Sequence, residues 1–292
     1  MPVKSLLLLY KGAGHEHSAL ETALQLTAYF KADLRCLHVT MPLNAYPELY
    51  GFGLYCQAMA GSGDLQETLA KDNQVQREDA RAHILESAAR HAVSISPGEP
   101  ADVAVAQFLS LSTLYRDCLP KLGRASDLII IGCDPSPGAD LSPSLTALFD
   151  TGRPVLFVPP HETHSSAPPK TIAIAWDGSR QAARAMHNAM PFLEQAERVE
   201  LFCVTTTGDA PESAMQDDIL RYLYRHGVRA SFSGVRHDDS TVPEAILARA
   251  DAIGADWLVM GAYGHSHIGE MVLGGATNHI LKHASLSILM SH

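Results

Sequence analysis

The chain has 292 residues, 46% hydrophobic and 18% charged, and a net charge of −10 from 22 basic and 32 acidic side chains. That is apolar material enough for two domains of ordinary size, which excludes general disorder, and the acidic balance argues against a nucleic-acid duplex as partner, which demands clustered positive charge. No apolar run approaches the roughly 18 residues of a membrane span, the leucines before Lys11 are too few for a signal-peptide core, and five cysteines (36, 56, 118, 133, 203) without a C-x-x-C pair point to a reduced, cytoplasmic protein.

In chain order, the first element is an apolar run that starts at Lys4, passes through Tyr10 and Lys11 and ends at Gly12; a second run covers 34–40. The stretch 41–63 then brings Tyr46, Tyr50, Phe52 and Tyr55 with Glu48 and no lysine or arginine. A segment of that kind serves as a lid or contact surface, or its aromatics form the core of a short extra helix or cover a neighbouring domain. A long polar helix is predicted over 67–91. Ala125 opens a further strand that ends at Gly132, and a last apolar run closes the half. Positions 159–169, with four prolines among polar residues, read as an exposed linker.

The second half repeats the first in the same order: Lys170 to Gly178 matches 4–12, 199–205 matches 34–40, and Ala255 to Gly261 matches 125–132. This implies two copies of one fold, over 1–158 and 170–292 with the linker between. In the second copy, 171–176 is a continuous apolar run, as suits a strand buried on both faces. Ser179 offers an N-cap for a helix over 180–196, in which Pro191 is expected to make a kink or an early end. A strand over 199–204, a helix over 211–226 with Gly227 at its C′ end, a strand over 228–235, a helix over 243–253 with a proline in its first turn and a strand over 257–261 follow. A glycine-rich loop then leads to a short helix over 276–283 and a last strand over 286–290. The alternation predicts an α/β fold with a mostly parallel sheet and helices on both faces, and ligands in such sheets sit at the carboxyl ends of the strands where the winding reverses.

The loop beginning at Gly261 carries the chemistry. Gly264 stands three positions on, nine residues intervene, and Gly274 and Gly275 precede a helix start at Ala276 and Thr277. Glycine lets backbone approach a ligand without a Cβ, and free N–H groups at a helix N-terminus favour phosphate; the alternative is that the glycines only make turns. This G-x2-G-x9-G spacing after an Ala-Asp-x-Leu-Val strand, with Trp176-Asp177-Gly178-Ser179 and Phe202-Cys203-Val204 at two earlier strand ends, resembles the nucleotide-binding signature of the universal stress protein family. The resemblance covers nearly the whole chain as two tandem copies. It implies two Rossmann-like domains, each a five-stranded sheet of order 3-2-1-4-5, and ATP as ligand. It places Asp177, beside Gly178, and the Val204 backbone on the adenine side, and Gly261, Gly264 and Gly274 on ribose and phosphates.

Two departures bear on that site. Gly275 stands where the family has Ser or Thr, so Thr277 is the remaining hydroxyl, and His265 stands where arginine is common. The first copy departs further: its loop runs Gly132 to Gly138 with Pro135 at the second glycine position, Lys11 replaces the aspartate, and Ser142, Ser144 and Thr146 precede its last helix in place of Gly-Gly. The expectation is a degenerate first site that does not take ATP in the family's manner.

Other constellations fit less well. Gly269 and Gly274 have P-loop separation but are followed by Gly275 and Ala276, with no lysine; Gly12 and Gly14 lack a third glycine at His17; and Gly264-His-Ser-His-Ile268 lacks the last glycine of a hydrolase elbow. His265 with His267, and His279 with His283, are spaced to share a metal but have no evident third ligand; His15, His17, His161 and His164 read as solvated. Cys36 and Cys203 read as buried apolar residues, and Cys133 as packing or as a reactive thiol. Asp177 alone reads as a turn acid beside Ser179, but its Asp-Gly-Ser context and the matched glycine loop favour ligand contact. The reading is thus an adenine nucleotide, ATP, with a divalent ion such as magnesium offsetting its charge, held by Asp177, Gly178, Val204, Gly261, Gly264, His265, Gly274, Gly275, Ala276 and Thr277. The resemblance adds a stress-response or regulatory role, with an unspecified protein partner and a homodimer both open. Any hydrolysis is expected to be slow. The alternatives are a lipid or metabolite binder using the first pocket and 41–63, a slow ATPase, or a histidine-metal hydrolase.

Overall fold

The short apolar runs become strands, and their partners in space follow the internal repeat. The computed structural model describes residues 2–40, 63–96, 102–136, 138–160, 167–205, 213–236, 240–262 and 275–292. Among these, the first half contributes β1 (Ser5–Leu9), β2 (Asp33–Thr40), β3 (Ser94–Ile95), β4 (Val105–Ser112), β5 (Leu128–Gly132) and β6 (Val155–Val158). The second half contributes β7 (Thr171–Ala175), β8 (Arg198–Thr205), β9 (Ala230–Arg236), β10 (Trp257–Gly261) and β11 (Ser287–Ser291). They form one sheet in the order β3-β4-β2-β1-β5-β6-β11-β10-β7-β8-β9. Leaving the two-residue β3 aside, each half reads third-second-first-fourth-fifth, the order that the resemblance implied. Within each half every pairing is parallel. The halves join where β6 and β11 run antiparallel, Leu156 opposite Leu289.

Nine helices among the described residues cover the faces: α1 (His17–Phe30), α2 (Gly63–Arg90), α3 (Tyr115–Gly123), α4 (Ser142–Asp150), α5 (Arg180–Asn188), α6 (Met190–Leu193), α7 (Ser213–Arg225), α8 (Val242–Ala252) and α9 (Gly275–His283). Because side chains alternate along a strand, Leu6, Leu8, Ile172 and Trp257 face one layer, with α1, α2, α5 and α7, while Leu7, Leu9, Ala173 and Leu258 face the other, with α3, α4, α8 and α9. Helix α2 is polar because, among its described side chains, it buries a narrow stripe, Ala80, Ile84, Ser87 and Ala88; it begins a few residues earlier than its composition suggested. The helix expected over 180–196 is broken after Asn188, and Pro191 lies in the first turn of α6, where its missing N–H leaves no bond unmade. Ser179 caps α5, its Oγ accepting from Ala182 N at 3.1 Å, and Gly227 takes φ +81° after α7.

The repeated Asp of the fourth strand has a structural task in both halves. Asp127 Oδ2 accepts from Lys4 N and Ser5 N at 2.8 and 3.0 Å, and Asp256 Oδ2 accepts from Lys170 N and Thr171 N at 2.7 and 2.8 Å. Each thereby ties the start of the first strand to the fourth. Across the junction of the halves, the Phe192 ring meets Phe30 edge-on at 5.6 Å; within the second half it also meets Trp257 at 4.8 Å, and Asn188 Nδ2 donates to Ser291 Oγ at 3.0 Å. The 41–62 part of the aromatic stretch and 161–166 of the linker lie outside the described residues.

Candidate functional site

In the second half, the ends of β7, β8 and β10 meet at the point where the winding reverses. A cavity of about 80 Å³ there is lined by Trp176, Asp177, Phe202, Val204, Ile246 and Gly261, among others. Three of the residues singled out from sequence, Asp177, Val204 and Gly261, are thus brought together. Asp177 is exposed and its Oδ1 accepts from Ser179 N at 2.9 Å, so it does make the turn into α5. Gly178 takes φ +76° in open space, a conformation that suits glycine. Gly261 has a different need: a Cβ there would lie 2.6 Å from Ala182 N and 2.8 Å from the Gln181 carbonyl carbon. Its missing side chain lets the first turn of α5 rest on β10. Gly275 and Ala276 open α9, and Thr277 follows in the same turn, 3% exposed. Gly264, His265 and Gly274 lie outside the described residues.

The corresponding corner of the first half is built from the same parts but filled differently. Gly12, the counterpart of Gly178, takes φ +91°. Glu16 falls where the second half has Ala182, and its Oε2 accepts from three successive backbone donors, Lys11 N at 2.7 Å, Gly12 N at 3.0 Å and Ala13 N at 3.2 Å. A turn whose N–H groups converge in this way is an anion hole, and here the chain's own carboxylate occupies it. Burial raises the Glu16 pKa by more than the Lys11 and Ala13 N–H bonds and the charges of His15 and Lys11 lower it. Gly132 repeats the Gly261 arrangement, a Cβ there lying 2.9 Å from Glu16 Cα. The adjoining cavity of about 170 Å³ is lined by Lys11, Glu16, Tyr115, Cys133 and Asp134, and Lys282 of α9 contributes from the other half. Cys133, half-buried, packs against the apolar layer of α3 and α4, and burial pushes its thiol up to about 12, so the reactive thiolate is disfavoured. Sequence reading passed over Glu16; aligning the two copies, which sets Glu16 against Ala182, is the signal that finds it.

The His279 and His283 rings on α9 lie 4.4 Å apart, tilted by 41°, and among the described residues no group of three or more His, Cys, Asp or Glu side chains is placed to hold a metal ion. Cys36, Cys118 and Cys203 are buried with free thiols. No helix among the described residues is long and apolar enough to cross a membrane.

Comparison with known proteins gives two findings. The model of the universal stress protein family matches residues 169–292. Among solved structures, a universal stress protein from Archaeoglobus fulgidus DSM 4304 is similar at a TM-score of 0.68 and 15% identity, over 98% of this chain and 96% of that one. A putative universal stress protein from Pseudomonas aeruginosa UCBPP-PA14 is similar at 0.54 and 14%, over 99% and 93%. At these identities the likeness shows the fold, and it extends over both halves. A search of curated proteins finds no match.

Proposed function

We propose, from the premise that residues 169–292 form a universal stress protein family domain, that this domain binds ATP or a related adenine nucleotide and serves a regulatory, stress-related role. The observation that carries the reading is the convergence of Asp177, Val204 and Gly261 on one cavity at the strand ends where the winding reverses. Phe202, Val204 and Ile246 give that cavity the apolar wall that a purine face prefers, while the exposed Asp177 carboxylate offers an acceptor to its amino edge. The phosphates would then run toward Gly264, His265, Gly274 and the N-terminal N–H groups of α9 at Gly275, Ala276 and Thr277. With −10 of protein charge, a divalent ion such as magnesium, held through the phosphates, would offset the triphosphate. The division into domains at 1–158 and 170–292 belongs to the same proposal, with the first site given over to Glu16.

Calorimetric titration of the full chain with ATP and magnesium tests this. Asp177→Ala is expected to weaken binding about tenfold, the size of a lost hydrogen bond to a charged group, and Gly264→Val and Gly274→Val to weaken it at least as much. Unchanged affinity in both glycine variants would overturn the assignment of the loop.

A further inference from the structure

A second cavity in the first half has the makings of a site of another kind. It measures about 210 Å³, lies between α2 and the ends of β1 and β2, and is lined by Lys11, His38, Thr40, Asn73, Gln76 and Thr113, among others. His38 is 1% exposed. Its Nδ1 lies 3.2 Å from the Tyr10 carbonyl oxygen; a carbonyl only accepts, so Nδ1 carries the proton and Nε2 presents a lone pair. That Nε2 is buried and meets no hydrogen-bond partner among the described residues. Burial, with the nearby charges of Lys11 and Arg77, lowers the His38 pKa in spite of the Tyr10 bond, so the ring stays neutral and Nε2 remains an acceptor. A buried acceptor without a donor is rare in a folded protein.

The other groups narrow what such a donor can belong to. Lys11 Nζ sits 5.3 Å over the Tyr115 ring, and no ion pair or hydrogen bond engages it among the described residues. Arg77 adds a second positive charge close to His38, and the Asp140 carboxylate, on the same wall as Lys11, subtracts one. The charges that line this cavity or face His38 thus leave one positive, while the Glu16 and Asp134 carboxylates, which also feel Lys11, line the adjoining cavity; a ligand of at most one negative charge follows. Two amides and two hydroxyls supply donors and acceptors for a polyhydroxylated body.

We propose that this cavity binds a small hydroxylated monocarboxylate, its hydroxyl donating to His38 Nε2 and its carboxylate pairing with Lys11 Nζ. A nucleotide fits poorly, because Lys11 stands where the second half has Asp177 and because Glu16 closes the neighbouring anion hole.

The test is imidazole ¹H–¹⁵N spectroscopy of the full chain titrated with glycerate and gluconate, with inorganic phosphate and ATP as separate arms. The His38 signals are assigned by their loss in His38→Gln. The expected result is that one of the two acids shifts the His38 Nε2 signal at millimolar concentration. Lys11→Met is expected to weaken that binding about tenfold, and its thermal unfolding shows that it is folded. His38→Gln, whose amide oxygen still accepts, should retain more affinity than His38→Leu. The proposal is overturned if neither acid moves the signal, if phosphate or ATP alone does, or if Lys11→Met binds as tightly as the unaltered chain.

Discussion

Replacing Gly261 by alanine tests the geometry on which the second-half site depends. The new Cβ would stand 2.6 Å from Ala182 N, 2.8 Å from the Gln181 carbonyl carbon and 2.8 Å from Gln181 Cβ, against an optimum of about 3.5–4.0 Å for carbon contacts. Two of those atoms are main chain within α5, so no side-chain rotation relieves the clash. The helix must withdraw from β10, drawing Ala182, Ala185 and Met186 away from the core they help to fill. Overpacking of this kind costs about 1–3 kcal/mol, and with backbone on both sides the upper part of that range, about 2–3 kcal/mol, is expected. Urea unfolding followed by tryptophan fluorescence reads it directly, since Trp257 lies in β10 and Trp176 just past β7. The midpoint should fall by roughly 1 M with the slope unchanged. Gly178→Ala supplies the contrast: nothing crowds that position, but its φ of +76° is strained for alanine, at about 1 kcal/mol. Gly261→Ala should also weaken the ATP binding proposed above, because the displaced turn carries Asp177. A Gly261→Ala midpoint equal to that of the unaltered chain, or higher than that of Gly178→Ala, would refute the reasoning.

Asp256→Ala removes the acceptor of two backbone N–H groups and is expected to cost about 1–3 kcal/mol in thermal or urea unfolding; Asp127→Ala should behave alike, as its counterpart. Phe192→Ala opens the ring stack between Phe30 and Trp257 and is expected to cost about 3–5 kcal/mol, with altered tryptophan emission. Glu16→Gln predicts a pH dependence. A carboxyl whose folded pKa is raised contributes its stability below the ordinary carboxylate range and loses it as pH rises through the raised value. The variant, always neutral, should match the unaltered chain in acid and melt higher at pH 7. A Glu16→Gln melting temperature below that of the unaltered chain at pH 7 would mean that the charge on Glu16 is favourable.

The repeat made much of this fold legible. The runs at 171–176 and 257–261 are apolar on consecutive positions because their strands are covered on both faces, and Ser179, Pro191 and Gly227 mark helix ends for local reasons that sequence carries. Strand β4 was harder to read: its outer residues, Gln107 to Ser112, are half-exposed or exposed and show no continuous apolar run. The junction of β6 with β11 was not legible either. Val155–Val158 says that both faces are buried, but a strand's edge partner is chosen through backbone groups that every residue shares. The same limit applies to Gly261. A glycine has one signature whether it admits a ligand or a helix, and only the position of Ala182 tells which neighbour needs the space.

The two halves show how one frame comes to hold different chemistry. After the first strand of each copy the chain turns through a left-handed glycine, Gly12 or Gly178, and in each copy the next helix rests on a side-chain-free strand end, Gly132 or Gly261. What differs is the residue that sits over that strand end. Glu16 reaches back and takes three N–H groups for itself; Ala182 cannot, and its own N–H goes to the Ser179 hydroxyl. With the anion hole of the first half filled from within, an incoming anion there must rely on side chains instead. Lys11, standing opposite the position of Asp177, and the unpartnered acceptor of His38 are the side chains that the fold leaves in reach. A double variant, Glu16→Ala with Lys11→Asp, reverses both changes, and if this account is right it should lose the carboxylate response at His38 while leaving the proposed nucleotide binding of the second half as it is in the unaltered chain.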